Sequence, residues 1–190
     1  MAIIVASPTL CSAADYFFGG DTTGTDYYAW SDSSYVVDSM TSPANTGNLD
    51  SGIIWLNNLG TTPDTASIII YNIDSTFLDS TASFVVGGAA ARTRYSAAFI
   101  GNASISASTK YFVGFHCASE GTGGTLRVYA NVAVTVSNWY KLTQPVIPAT
   151  ITAPTKDTNA KIKAWGVYFS DAAATTVKKP QNAHLGNVKL

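Results

Sequence analysis

The alternation of apolar and polar residues between positions 125 and 137 constrains the fold of this chain more than any other feature. Every even position from 126 to 136 is apolar, and most odd positions are polar, among them Arg127 and Asn131. A period of two is typical of a strand with one buried face. An apolar stretch, Lys110–Cys117, precedes it across the glycine-rich segment Glu120–Gly124. The two stretches together predict a long β-hairpin, Lys110–Ser137, with one face in a core.

Turn-forming residues divide the rest of the chain into short segments that are candidates for strands. No segment has the pattern of a convincing amphipathic helix. The segment Ile68–Tyr71 is apolar on both faces, which predicts a central strand. The segment Thr143–Ala160 contains three prolines, which predict a long loop or an edge crossing. Strands of this kind, separated by roughly 8–15 residues, are typical of sandwiches and barrels. We therefore predict an all-β, antiparallel two-sheet β-sandwich, jelly-roll-like, with about nine strands.

The length of 190 residues suits one domain of this class. We predict a single β-sandwich over residues 15–170, preceded by an N-terminal arm or edge strand over 1–14. Residues 171–190 show no apolar period and carry Lys178 and Lys179, which predicts a tail that is mobile or ordered only against a partner. Lys178 and Lys179 are candidates for that contact.

Composition favours a virion or extracellular protein over a cytosolic enzyme. Charged residues make up 12% of the chain, about half of the usual ~25%. The apolar N-terminus has no Lys or Arg before it, so we expect no secretory signal, and no apolar run approaches the length of a membrane span. These expectations together indicate a virion protein assembled in the host cytoplasm.

Charge is distributed unevenly along the chain. Residues 1–91 contain nine Asp and no Lys or Arg, for a net charge of −9, and residues 92–190 carry +8, for a total of −1. Strands from the two halves could interleave and cancel the difference. Alternatively, two faces of opposite sign could meet between neighbouring subunits in a ring such as a trimer. The near-neutral total argues against nucleic acid as a partner.

Residues that carry catalysis are sparse. The single glutamate, Glu120, lies among glycines, and His116 lies within a strand, where a structural role is expected. No nucleophile elbow, phosphate-binding loop or zinc motif occurs. We therefore predict a protein that is not an enzyme and has no cofactor.

The sequence gives only weak indications of a metal site or of a disulfide. The aspartates of Asp21–Asp26 and Asp32–Ser34 could be solvated turn residues or calcium ligands, and we predict no metal site. The separation of Cys11 and Cys117 excludes a CxxC motif. Two buried thiols are favoured for this pair, and a disulfide remains open.

An aromatic cluster provides the best candidate binding residues. Tyr27, Tyr28 and Trp30 follow a turn rich in Gly, Asp and Thr. Their rings could belong to the core, to a subunit interface or to a platform that stacks on sugars. These three interpretations stay open at this level.

The order of elements resembles a known group of proteins. The stretches that carry the likeness are Ser51–Leu56, the loop Gly60–Pro63, Ser67–Tyr71 and Ile105–Phe115. Over roughly residues 30–140 the pattern resembles the jelly-roll modules of tailed-phage virion proteins, which are related to carbohydrate-binding modules. The resemblance implies a non-catalytic module that decorates or cements a capsid, or belongs to a tail or fibre.

These observations lead to one expected function and one alternative. The expected function is that of a structural protein of a phage virion, most simply a capsid decoration or cement subunit. Its partners would be other copies of itself and the major capsid or other virion proteins, without a membrane. The alternative is a carbohydrate-binding module, or an adhesion or adaptor protein of a tail or fibre, with a glycan as partner.

Overall fold

The computed structural model describes residues 15–21, 26–30, 34–119, 126–132, 139–143, 146–151, 155–157 and 161–171. These residues form strands and turns, with no helix among them, which confirms the all-β class. The strands are β1 (Asp15–Gly19), β2 (Asp26–Trp30), β3 (Ser34–Thr41), β4 (Gly47–Asn58), β5 (Asp64–Asn72), β6 (Phe77–Ser80), β7 (Phe84–Val86), β8 (Thr93–Ala98), β9 (Ser104–Ile105), β10 (Lys110–Ser119), β11 (Leu126–Val132), β12 (Trp139–Thr143), β13 (Thr155–Asp157), β14 (Lys161–Lys163) and β15 (Trp165–Ser170). The predicted arm, 1–14, and all of the predicted tail except Asp171 lie outside the described residues.

The strands form two antiparallel sheets packed face to face, which confirms the predicted β-sandwich. The first sheet has the order β1-β15-β4-β11-β14, with β2 beside β11 and with β8 and β9 beside β4. The second sheet has the order β13-β12-β3-β10-β5-β6, with β7 beside β5. The described residues form fifteen strands where about nine were predicted, because several short strands share one long neighbour. The predicted last strand, for example, is divided at Ala164 into β14 and β15.

The predicted hairpin of Lys110–Ser137 is wrong. Strand β10 pairs with β3 and β5 in the second sheet, whereas β11 pairs with β2, β4 and β14 in the first. The chain therefore crosses from one sheet to the other between them. Alternation along β11 correctly predicted one buried face, since Leu126 and Val128 are buried. Alternation does not specify which strand is the neighbour, and the connection Glu120–Gly124 lies outside the described residues.

The main core fills the space between the two sheets. Strand β10 contributes Tyr111, Val113, Phe115 and Cys117 from one of its faces. The first sheet contributes residues such as Ile54, Leu56 and Trp165. The indole Nε1 of Trp165 donates a hydrogen bond of 2.9 Å to the carbonyl oxygen of Val113, so one buried contact joins the sheets directly.

A smaller core covers the other side of the second sheet. It contains Phe112 of β10, Ile69 and Tyr71 of β5, Tyr35 and Val37 of β3, and Ile151. The segment 146–151 closes this cluster, and the Tyr71 hydroxyl donates to the carbonyl oxygen of Pro148 at 2.8 Å. Because β5 lies between β10 and β6 and is buried on both faces, the prediction of a central strand over Ile68–Tyr71 is confirmed.

Residues 79–82 connect the two sheets along one edge of the sandwich. The Thr81 N–H donates to Ile68 of the second sheet, and the Ala82 N–H donates to Ala98 of the first. The buried carboxylate of Asp79 accepts the backbone N–H groups of Gly101 at 2.9 Å and Ala103 at 3.2 Å. These bonds hold the loop after β8 against β6.

Candidate interaction surface

The side of the first sheet that faces away from the second sheet is called the outer face here. In β4, Ile54 and Leu56 belong to the core. Because successive residues of a strand point to opposite sides, Ile53, Trp55 and Asn57 lie on the outer face. The register extends this face to the neighbouring strands, and it brings together all three arginines of the chain and several aromatic residues.

Strand β2 carries the three aromatic residues that the sequence proposed as a site. Tyr27 pairs with Tyr129, Tyr28 with Val128, and Trp30 with Leu126. Val128 is a core residue, so its neighbour Tyr129 and Tyr27, which lies opposite Tyr129, belong to the outer face. Tyr27 is 44% exposed, as a binding residue requires.

The other proposed site residues stay predictions. The side chains of Tyr28 and Trp30 lie outside the described part of the structure, and so do Lys178 and Lys179. Within the described residues, the neighbours of Tyr27 on the outer face come from other strands.

Four residues form a row at one end of the outer face, and we call them the arginine–tyrosine row. The guanidinium carbon of Arg127 lies 3.9 Å from the centre of the Tyr27 ring. The Tyr27 ring meets the Tyr129 ring edge to face, with centres 6.3 Å apart. The guanidinium carbon of Arg92 lies 4.9 Å from the centre of the Tyr129 ring. Such stacking holds flat guanidinium groups in place over aromatic rings.

A buried amide lies beside this row. Asn57 pairs with Arg127 across β11, and its neighbour Leu56 pairs with Thr93, the residue after Arg92. Asn57 is only 7% exposed, and its Oδ1 has no hydrogen-bond partner among the described residues. A buried acceptor without a donor costs about 1–3 kcal/mol, so this oxygen lowers the stability of the fold.

A bidentate ion pair lies near the middle of the outer face. Arg94 pairs with Trp55 across β8, and its Nε and Nη2 donate to the two oxygens of Asp21 at 2.9 and 3.1 Å. The Trp55 Nε1 also donates to Asp21, at 3.2 Å. The Arg94 guanidinium, and secondarily the Trp55 indole, hold the pKa of the Asp21 carboxyl below its usual value. This part of the face is therefore ordered and close to neutral.

The Asp21–Arg94 pair also bears on the uneven charge of the sequence. This ion pair joins the acidic half of the chain to the basic half. Three further aspartates of the first half, Asp38, Asp64 and Asp79, are buried. Interleaved strands therefore remove part of the asymmetry within one chain, and the meeting of opposite faces between subunits stays a prediction.

The remaining candidate residues give no reactive cluster in the described ranges. No group of three His, Cys, Asp or Glu side chains that could hold a metal occurs there. His116 is buried in β10, between Tyr35 and Ser67 in register. Cys117 is buried, and Cys11 lies outside the described residues, so the state of the two thiols stays a prediction.

Sequence reasoning identified Tyr27 but missed its partners Arg92, Arg127, Tyr129 and Asn57. One local signal was present in β11, where Arg127 and Tyr129 occupy the polar side of the alternation. An aromatic residue on the solvent side of a strand indicates a contact surface. Arg92 and Asn57 gave no such signal, because their position depends on the pairing of distant strands.

Comparison with models of known protein families gave no match, and comparison with curated proteins gave none either. Within the ranges that the structure describes, no helix has the length and apolar character needed to cross a membrane. The fold and the outer face together define a β-sandwich with an exposed surface of arginine and aromatic residues.

Proposed function

We propose that this chain is a non-enzymatic structural protein of a phage virion, a capsid decoration or cement subunit. It binds neighbouring subunits through its surface and strengthens the shell by adding contacts between them. Its partners are other copies of itself and the major capsid or another virion protein.

The observation that carries this proposal is the composition of the outer face. Tyr, Trp and Arg are enriched in protein–protein interfaces and supply most of their hot spots. The outer face combines Tyr27, Tyr129 and Trp55 with three arginines, on strands held rigid by the core beneath. The low charge and hydroxyl-rich composition of the chain also support a virion protein.

The first test is the mass of the purified protein by light scattering at low and at high salt. We expect a defined oligomer that loosens as salt rises, since screening weakens contacts between exposed charges. A monomer at every salt and protein concentration would contradict assembly through this face.

Carbohydrate binding is a second candidate function, favoured by one feature. The exposed ring of Tyr27 lies in the same row as Arg127, whose guanidinium could donate hydrogen bonds to sugar hydroxyls. Titration calorimetry with a glycan panel tests it with Tyr27→Ala, and with Val146→Ala as the control at an exposed site elsewhere. Loss of binding in Tyr27→Ala alone, at unchanged stability, supports this function, and equal binding by both variants contradicts it.

A further inference from the structure

We infer that the outer face binds a second copy of this chain across a two-fold axis, with the arginine end of each copy against the acidic end of the other. This inference rests on the proposed function and names the partner of the same surface.

Charge is separated along the outer face. The arginine–tyrosine row places Arg92 and Arg127 beside Asn57, at the end of β4. At the other end, a β-bulge shifts the alternation of β4 between Leu49 and Ser51, so that Leu49 belongs to the core. Asp50 at this bulge is exposed, and it accepts a hydrogen bond of 3.1 Å from Ser170. Asp15 of β1 is also exposed and pairs with the same serine. Seven residues separate Asp50 from Asn57, so the two ends lie about 23 Å apart at the usual rise of a strand.

The middle of the outer face is aromatic. The rings of Phe17 and Tyr168 lie 4.7 Å apart, and Trp55 lies on the same side of the sheet. Ile53 is fully buried although it belongs to the outer face. The Phe17 ring lies over Gly166, the residue opposite Ile53 in β15, with its Cζ 2.5 Å from the position that a side chain at Gly166 would take. An apolar centre between charged margins is the usual arrangement of a protein interface.

The two-fold axis lies in the plane of the contact, at the middle of the outer face and perpendicular to β4. It therefore places the arginine end of one copy against the acidic end of the other. Two copies packed with β4 antiparallel bring Arg127 and Arg92 of each copy toward Asp50 and Asp15 of the other, and the aromatic centres meet. A two-fold contact is self-complementary, so each charge pair forms twice. The neutral Asp21–Arg94 pair near the middle adds no unmatched charge.

This arrangement uses the uneven charge of the sequence. The acidic end, Asp15 and Asp50, belongs to the half of the chain without Lys or Arg, and the cationic end, Arg92 and Arg127, belongs to the basic half. The two-fold contact predicts a dimer as the unit of assembly, in place of the trimeric ring that the charge asymmetry alone suggested.

A charge-swap experiment tests the inference by light scattering on the full chain. Each of two variants, Arg127→Glu and Asp50→Arg, places like charges opposite each other at both charge pairs of its own dimer. We therefore expect the dissociation constant of each variant's dimer to rise about 100-fold or more. An equimolar mixture of the two variants forms a mixed dimer with one wild-type charge pair and one pair of inverted sign, so we expect a dimer of about wild-type affinity. The control, Lys110→Glu, reverses an exposed charge on the second sheet and leaves the wild-type dimer unchanged.

The outcomes separate this inference from the function on which it rests. If the wild type assembles and the single variants assemble equally well, or if the mixture is not restored, the two-fold contact is overturned and the structural function survives. If the wild type is a monomer throughout, assembly through this face is overturned. Circular dichroism confirms folding of each variant, and Asp15→Arg replaces Asp50→Arg if the latter does not fold.

Discussion

The Trp165 indole donates a hydrogen bond of 2.9 Å to the carbonyl oxygen of Val113, and this contact joins the two sheets through the middle of the core. Trp165 is among the largest fully buried side chains. Its ring also lies 6.1 Å from that of Phe115, the next core residue of β10 after Val113. The Trp165 side chain therefore fills space in the core, and its hydrogen bond aligns β15 with β10.

Replacing Trp165 with Phe removes both the donor and part of the volume. We expect Trp165→Phe to lower the free energy of unfolding by about 2–4 kcal/mol, since a cavity forms and a buried carbonyl loses a partner. Urea denaturation followed by circular dichroism measures this loss. A variant as stable as the wild type would show that the bond between the sheets contributes nothing.

Two buried tyrosines in the smaller core predict effects of opposite sign. The Tyr35 hydroxyl is buried without a hydrogen-bond partner among the described residues, and burial raises its pKa. The Tyr71 hydroxyl donates to Pro148, and burial, with a smaller contribution from Tyr35, raises its pKa too. We expect Tyr35→Phe to be stabilising by about 1 kcal/mol and Tyr71→Phe to be destabilising by about 1 kcal/mol.

Each variant is the control for the other, because both remove one oxygen from the same cluster. Urea denaturation of the two variants and the wild type gives the comparison. Equal changes in both would mean that the Tyr35 hydroxyl has a partner after all.

The backbone of β3 lies very close to Gly114 of β10. A Cβ at this position would overlap the carbonyl oxygen of Val36, and this obstacle is backbone that cannot rotate away. We expect Gly114→Ala to lower the free energy of unfolding by about 3 kcal/mol or to prevent folding, because the two strands must separate.

Gly87 is the matched control, since a Cβ there would meet no atom within 4 Å. We expect Gly87→Ala to change stability by less than about 1 kcal/mol, in the stabilising direction. Thermal unfolding of both variants measures the difference. Similar melting temperatures for the two would contradict the close approach at Gly114.

The fold class could be predicted from the sequence because alternation and turn residues are local properties. Strand pairing could not, since it depends on contacts between distant segments, and β10 and β11 therefore looked like a hairpin. One signal against the hairpin was present in β10, where Tyr111, Phe112 and Val113 are consecutive and all apolar. A strand that is apolar on both faces belongs inside a sheet covered on both sides, as β10 is.

The candidate surface could be predicted only in part for the same reason. Tyr27 was identified because aromatic residues clustered in the chain. Asp50 and Arg127 share a face only through the register of β4 with β11, which no local pattern encodes. The difference in charge between the two halves was the one sequence feature that indicated such a face.

The Asp21–Arg94 pair predicts how stability depends on pH. The pKa of the Asp21 carboxyl is lower in the folded protein than in the unfolded chain. The ion pair therefore stabilises the folded state fully only above the unfolded pKa of about 4. This stabilisation is lost as pH falls from there through the folded-state pKa. Both side chains are about one-third exposed, at 35% and 33%, so solvent screening limits the contribution to less than about 1 kcal/mol.

We therefore expect Arg94→Gln to be less stable than the wild type at pH 7 by up to about 1 kcal/mol, and we expect a smaller deficit near pH 2, because protonation of Asp21 weakens its pairing with Arg94. Urea denaturation at the two pH values, with each protein in its dissociated state at low concentration, gives the comparison. Arg127→Gln is the control, because its guanidinium stacks on the ring of Tyr27 and we expect its effect to stay constant over the same range. A deficit of Arg94→Gln that persists unchanged at pH 2 would assign the role of Arg94 to packing, and not to its pairing with Asp21.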